Sequence, residues 1–354
     1  MPTPVIDWVV ADWVAGQIVD RTSDADGHTN GIGGIDLQPL VDIAEQRVVD
    51  YTGLVPVGPI PAPEAIDRRE WVRANITSTR AMLDPLLESA AGKLGPVKGA
   101  GRLWLGVASS TEVGVLIGFM GQRVMGQYEL ILLDERAHDQ QPRLLFVVPN
   151  LQDAVRRLKA DETEFLTWVV LHEVTHAVQF GAVPWLREYL ASMIRDLLAS
   201  AEKRMDVRRH LRLPNREGLA RFGRAAVHGD LMGMVASEHE RDVLDRAQAV
   251  MAVVEGHAEH VMDAVAGELV PSMPELRRSL DRRRKQQTGL AKYLGKLLGF
   301  EMKLAQYAQG KSFCDAVVAQ AGPAALSAVF SSREALPTLD EIKDPAAWLR
   351  RSRL

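Results

Sequence analysis

His172-Glu173-Val174-Thr175-His176 is the stretch whose residue types and spacing could do chemistry. On an α-helix, positions four apart share a face, so the two imidazoles can aim at one point. Two neutral imidazoles so placed suit a tetrahedral zinc ion. Glu173 lies one residue round the helix, close enough to take a proton from a metal-held water without being a ligand. The pattern predicts metal-assisted hydrolysis with Glu173 as general base.

Two helices must position this chemistry. Asp161 and Glu164 have N-cap and N3 spacing ahead of the motif, and Gly181 and Pro184 mark its end. Between them Phe165, Leu166, Trp168, Val169, Leu171, Val174 and Val178 make the segment apolar nearly all round, which predicts a buried helix. Buried histidines and a glutamate need strong partners, and a metal is one. The second helix is predicted over Val243–Val265, with Val243, Ala247, Val250, Val254, Ala258, Val261 and Val265 along one stripe. Glu255 falls on that stripe and so requires a cation or a metal. His257, Glu259 and His260 flank it. Glu259 is an alternative ligand, or an acceptor that orients one of the histidines.

These residues carry a resemblance. The first motif followed by Glu255-Gly256-His257-Ala258 looks like the gluzincin branch of zinc metallopeptidases. More closely, the strings His172–Phe180, Glu255–Asp263, Leu298–Phe313 and Val124–Tyr128 resemble the zincin-like metallopeptidase type 2 family. Its members, largely from actinobacteria, are described as candidate hydrolases, and one subgroup is associated with biosynthesis of a deazaflavin coenzyme. The resemblance implies zinc held by His172, His176 and Glu255, with Glu173 as base and a peptide or amide as substrate. The chain also departs from familiar gluzincins. The separation between His176 and Glu255 is longer, His260 stands where an aromatic is usual, and no tyrosine is obviously placed as a transition-state donor. His257, His260, Tyr307 and Lys303 are the candidates for stabilising an oxyanion. These departures motivate an alternative: a non-catalytic or accessory metal-site protein in coenzyme metabolism.

The remaining sequence sets bounds. A chain of 354 residues with net charge −4 gives no global case for nucleic acid or an anionic membrane. Cys314 is the only cysteine, so neither an internal disulfide nor a cysteine zinc cluster is expected, which suits a reducing cytoplasm. The N-terminal residues lack the pattern of a secretory signal, and no stretch has the length of a membrane span.

The expected fold is mainly α with a small β-hairpin or sheet and a zincin-like core. An N-terminal helical region over 1–100 precedes a catalytic core over 101–270 and a C-terminal helical region over 271–354, with a boundary near Gly95–Gly101. Helices are expected over Asp7–Val19, with Trp8, Val9, Trp13 and Ile18 as the apolar side, and over Leu37–Tyr51. The proline-rich Gly53–Pro63 reads as a connector, and Glu64–Leu94 as a long helix. Leu103–Gly126 reads as a packed helix whose Gly114 and Gly118 admit a neighbouring backbone. Tyr128–Asp134 and Leu144–Val148 read as a hairpin whose edge could receive an extended ligand. The basic residues between Lys203 and Arg224 and those from Arg277 to Lys285 read as solvated helix faces, His228 and His239 as surface residues, and Pro337–Leu354 as a polar tail with a short final helix.

Overall fold

The computed structural model describes residues 6–20, 36–93, 100–129, 142–208, 237–286 and 300–354. In chain order the elements are α1 (Trp8–Asp20), α2 (Gln38–Thr52), β1 (Pro63–Ile66), α3 (Arg68–Lys93), α4 (Ala100–Gly121), β2 (Gly126–Glu129), β3 (Arg143–Val147), α5 (Val148–Leu158), α6 (Glu162–Ala182) and α7 (Pro184–Arg208). Then come α8 (Glu238–Ala266), α9 (Met273–Gln286), α10 (Phe300–Ala321) and three short helices, α11 (Pro323–Ser327), α12 (Leu339–Lys343) and α13 (Pro345–Ser352). Among the described residues the protein is mostly helical, with one three-stranded sheet.

β3 is the centre of that sheet, between β1 (parallel) and β2 (antiparallel). Its sequence Leu144-Leu145-Phe146-Val147 is apolar without a break because both faces are buried. Side chains alternate across a strand, so Leu144 and Phe146 enter a core with α2, α6 and the end of α8, while Leu145 and Val147 enter a second core with α1, α3 and α4. A third core joins α7, the first half of α8, α10 and the C-terminal helices. α8 therefore spans two cores, and its middle, where Glu255 lies, is at their junction.

Several sequence expectations are corrected by this packing. Residues 63–66 form strand β1, paired with β3, where a connector and the start of a helix were expected. The buried side of α1 is Trp8, Ala11, Ala15 and Val19, whereas Val9 and Trp13 are exposed. The reason is close helix contact: a Cβ on Gly114 of α4 would lie 2.6 Å from the Ala11 carbonyl oxygen. Small residues on both helices permit that approach, as expected for Gly114 and Gly118, and this contact joins α1 to α4 across the segment expected to be a boundary. The C-terminal stretch is not a polar tail. Ile342, Trp348 and Leu349 are buried in the third core, and the Trp348 indole donates to the Ala335 carbonyl at 2.7 Å.

Helix α6 begins as its sequence directs. The Asp161 carboxylate accepts from the Glu164 backbone N–H at 2.9 Å. Glu164 does not return the bond within the helix. It accepts from the Ser272 backbone N–H at 2.7 Å and ties the start of α9 to α6. Pro184 is the first residue of α7, so the two helices meet almost without a loop. Gly256 of α8 and Gly310 of α10 bring two backbones together: a Cβ on Gly256 would stand 2.2 Å from the Gly310 carbonyl carbon. No helix among the described residues is long and apolar enough to cross a membrane.

Candidate metal centre

α6 and α8 pack face to face and bring together His172, His176 and Glu255. The two histidine Nε2 atoms stand 3.3 Å apart, with their rings nearly perpendicular at 88°. Glu255 Oε2 lies 3.9 Å from His172 Nε2 and 3.8 Å from His176 Nε2. A tetrahedral zinc with ligand bonds of about 2.0–2.2 Å separates its ligand atoms by roughly 3.3–3.5 Å. The histidine pair meets that spacing, and the carboxylate needs only a small rotation to meet it. Two imidazoles and one carboxylate are a donor set suited to zinc that leaves a coordination position open. The side chains of His172 and Glu255 keep 28% and 23% of their surface exposed, so that position faces solvent.

A hydrogen-bond chain sets the tautomer of His176. The Gln179 amide nitrogen reaches the Val254 carbonyl oxygen at 3.0 Å, and a carbonyl can only accept. That fixes the amide: its NH2 end also donates to His257 Nδ1 at 2.8 Å, and its oxygen faces His176 Nδ1 at 2.9 Å. The proton of neutral His176 is therefore on Nδ1, and the lone pair of Nε2 points to Glu255 and His172. Such supporting bonds orient a ligand and raise its basicity. His257 accepts on Nδ1, so its own proton is on Nε2. That nitrogen is buried without a hydrogen-bond partner among the described residues, and the ring stands edge-on to Phe330 at 5.0 Å between centroids. Burial, with His260 and His176 nearby, lowers the His257 pKa to about 3, which keeps the ring neutral.

Glu173 is buried one residue from the first histidine. Its Oε2 accepts from the Tyr128 backbone N–H of β2 at 3.0 Å. Burial pushes its pKa up to about 7, helped by Glu255 and opposed by His176 and the Tyr128 N–H. Its room comes from Gly126: a Cβ there would lie 2.6 Å from Glu173 Cγ. β2 is indeed at the edge of the sheet, but Glu173 already occupies the Tyr128 N–H on that edge. A cleft of about 280 Å³ runs beside the site, with His172, Glu173, Gly126, Trp168, Arg123 and Arg277 in its wall.

The other expected site residues have different surroundings. His260 is buried: its Nδ1 donates to Asp315 Oδ1 at 2.6 Å, and the Tyr51 hydroxyl pairs with its Nε2 at 2.8 Å. Asp315 also pairs with Lys311 at 2.7 Å. Glu259 pairs with Arg277 at 3.6 Å and shares the cleft with His172. Arg277 is not on a solvated face, because Asp263 at 2.5 Å draws it inward. Tyr307 and Lys303 lie on α10, with side chains outside the described residues. His228 and the basic residues from Arg209 to Arg224 also lie outside them, whereas His239 is exposed in the first turn of α8. Sequence reasoning passed over Gln179, Arg123, Tyr51 and Asp315. For Gln179 a signal existed, since it stands one helical turn beyond His176.

The profile of the zincin-like metallopeptidases matches residues 6–349. The chain belongs to that family. A comparison with curated proteins finds no match. Among solved structures, the zincin-like fold described above is similar to that of a protein from Chloroflexus aurantiacus, reported as "a putative hydrolase with a novel fold". The identity is 29%, the TM-score is 0.70, and the match covers 98% of this chain and 99% of that one. The family match runs over the N- and C-terminal helices as well as over the motif helices, so those flanking regions are part of what the family shares.

Proposed function

We propose that this protein is a zinc-dependent hydrolase that cleaves a peptide or another amide. The observation that carries the reading is the placement of a buried glutamate beside the His172–His176–Glu255 set, with Glu173 and His172 lining one cleft. Zinc held there would supply a water of lowered pKa and polarise a carbonyl.

The chain's own residues do the rest. Gln179 holds His176 in the tautomer that can ligate. Gly126 and the Tyr128 N–H fix the Glu173 carboxylate against β2. Glu173 takes a proton from the attacking water and passes it to the leaving nitrogen. A carboxyl pKa near 7 suits both transfers. His257 acts on the site through Gln179, and His260 is held by Tyr51 and Asp315. Trp168, Met125 and Met262 give the cleft apolar walls that favour a substrate with an apolar part.

The test is Glu173→Gln, read with a panel of N-acylated peptides and simple amides. The variant should retain its zinc and lose turnover by at least about a hundredfold, the usual scale of general-base catalysis. Hydrolysis at the wild-type rate would overturn the mechanism.

A further inference from the structure

Four charged side chains line the cleft: Glu173, Glu259, Arg277 and Arg123. Three have partners that settle them. Glu173 accepts from the Tyr128 N–H, Arg277 is gripped by Asp263, and Glu259 faces Arg277. Arg123 has no carboxylate partner among the described residues. Its guanidinium stacks over the Phe119 ring at 3.5 Å, and Nη1 donates to the Phe119 carbonyl at 2.8 Å. Stacking and that single bond hold the plane of the group while leaving its other N–H groups to the cleft. Burial and the nearby Arg157 both disfavour the cation there. An anion in the cleft would relieve both.

The size of the space restricts the ligand. About 280 Å³ is at the small end for a ligand pocket and holds about one or two amino-acid residues, not a long extended chain. A planar guanidinium offers paired N–H donors that match a carboxylate. The Met125, Trp168 and Met262 side chains supply apolar contact for what lies between the anion and the reacting carbonyl.

We propose that the cleft takes a small amide substrate that carries a carboxylate, and that Arg123 holds this group. The proposal rests on the hydrolase reading above and gives it a substrate class. Such a substrate would be an N-acylated amino acid or a very short peptide bound by its C-terminal end. Arg123 sets specificity, and it stands apart from the histidines and glutamates that would do the chemistry.

The test uses two hydroxamates, which bind zinc, on the full-length zinc-loaded chain. One is succinic monohydroxamate with its free carboxylate, and the other is the same molecule with that end as a carboxamide. Isothermal titration calorimetry should show the carboxylate probe binding roughly tenfold tighter to the wild type, the scale of one charge-assisted pair. Arg123→Gln should bring the ratio to about one and leave the carboxamide probe unchanged. Arg123 is only partly buried in the cleft wall, so the variant should fold, and the carboxamide probe verifies that its zinc site is intact. Equal affinity for the two probes in the wild type, or a preference that survives Arg123→Gln, overturns the substrate class and leaves the hydrolase reading standing. Failure of both probes to bind zinc-loaded protein overturns both readings.

Discussion

Gly126 and Glu173 are in contact so close that no side chain fits between them: a Cβ on Gly126 would lie 2.6 Å from Glu173 Cγ and 3.0 Å from its Oε1. β2 thus fixes the glutamate from one side by a backbone N–H and from the other by the lack of a side chain. Gly126→Ala should cost about 1–3 kcal/mol through overpacking. Glu173→Ala removes the obstructing atoms, so the double variant should recover most of that loss. Urea unfolding of the four-member cycle measures it, with a coupling of about 1–3 kcal/mol expected. Additive effects would show that the two residues do not meet.

Gln179 supports the candidate metal site without being one of its three ligand residues. Gln179→Leu keeps the volume but removes the acceptor for His176 Nδ1 and the donor to His257. Zinc affinity should fall by about 10–100-fold, the usual effect of losing such a supporting bond. Competition with a chromophoric chelator reads it directly. Unchanged affinity would show that the tautomer of His176 needs no help.

The crossing of α8 over α10 depends on two glycines. A Cβ on Gly310 would stand 1.9 Å from the Ala252 carbonyl oxygen, closer than side-chain movement can relieve. Gly310→Ala should lower stability by about 3 kcal/mol or more, at the upper end of overpacking effects. Gly58→Ala is the control, since nothing lies within 4 Å of a Cβ there. It should change stability by less than about 0.5 kcal/mol. Thermal melts of both variants separate the effects, and similar melting temperatures would contradict the close approach.

Asp153 supplies a pH dependence away from the metal site. Burial alone would raise its pKa, but Arg156 and Arg68 hold the carboxyl below the ordinary carboxylate value. Arg68 is buried and has Asn150 and Asp153 as hydrogen-bond partners. Because the folded pKa is depressed, the pair stabilises the fold fully above a pH of about 4, the unfolded value. That contribution is lost as the pH falls through the folded pKa. Asp153→Asn should therefore cost about 1–3 kcal/mol at pH 7. The difference from wild type should shrink towards pH 3 in urea titrations. A difference that is constant with pH would assign the effect to packing.

The sequence made the motif helices legible for a physical reason. A helix apolar all round can hold two histidines and a glutamate only if they have partners, and its cap and length follow local rules that distant packing did not override. Glu255 was legible in the same way, as a carboxylate on an apolar stripe. β1 was not, because Pro63-Glu64-Ala65-Ile66 has neither an apolar run nor alternation, and its pairing with β3 joins residues far apart in the chain. The side of α1 that packs was hidden because Ala11, Ala15 and Gly16 bury by closeness to another backbone instead of by size. Arg277 looked like one more residue in a basic run. Its partner Asp263 lies on another helix, which charge counting along the chain cannot reveal.

The central claim is that His172, His176 and Glu255 hold one zinc ion, and metal content tests it most directly. Elemental analysis should find about one zinc per chain in the wild type and in Glu173→Gln, and strong loss in Glu255→Ala. Full zinc in Glu255→Ala would place the third ligand elsewhere, with Glu259 next to be tested. A wild-type protein that holds no metal, and takes up none when zinc is added, would contradict the account.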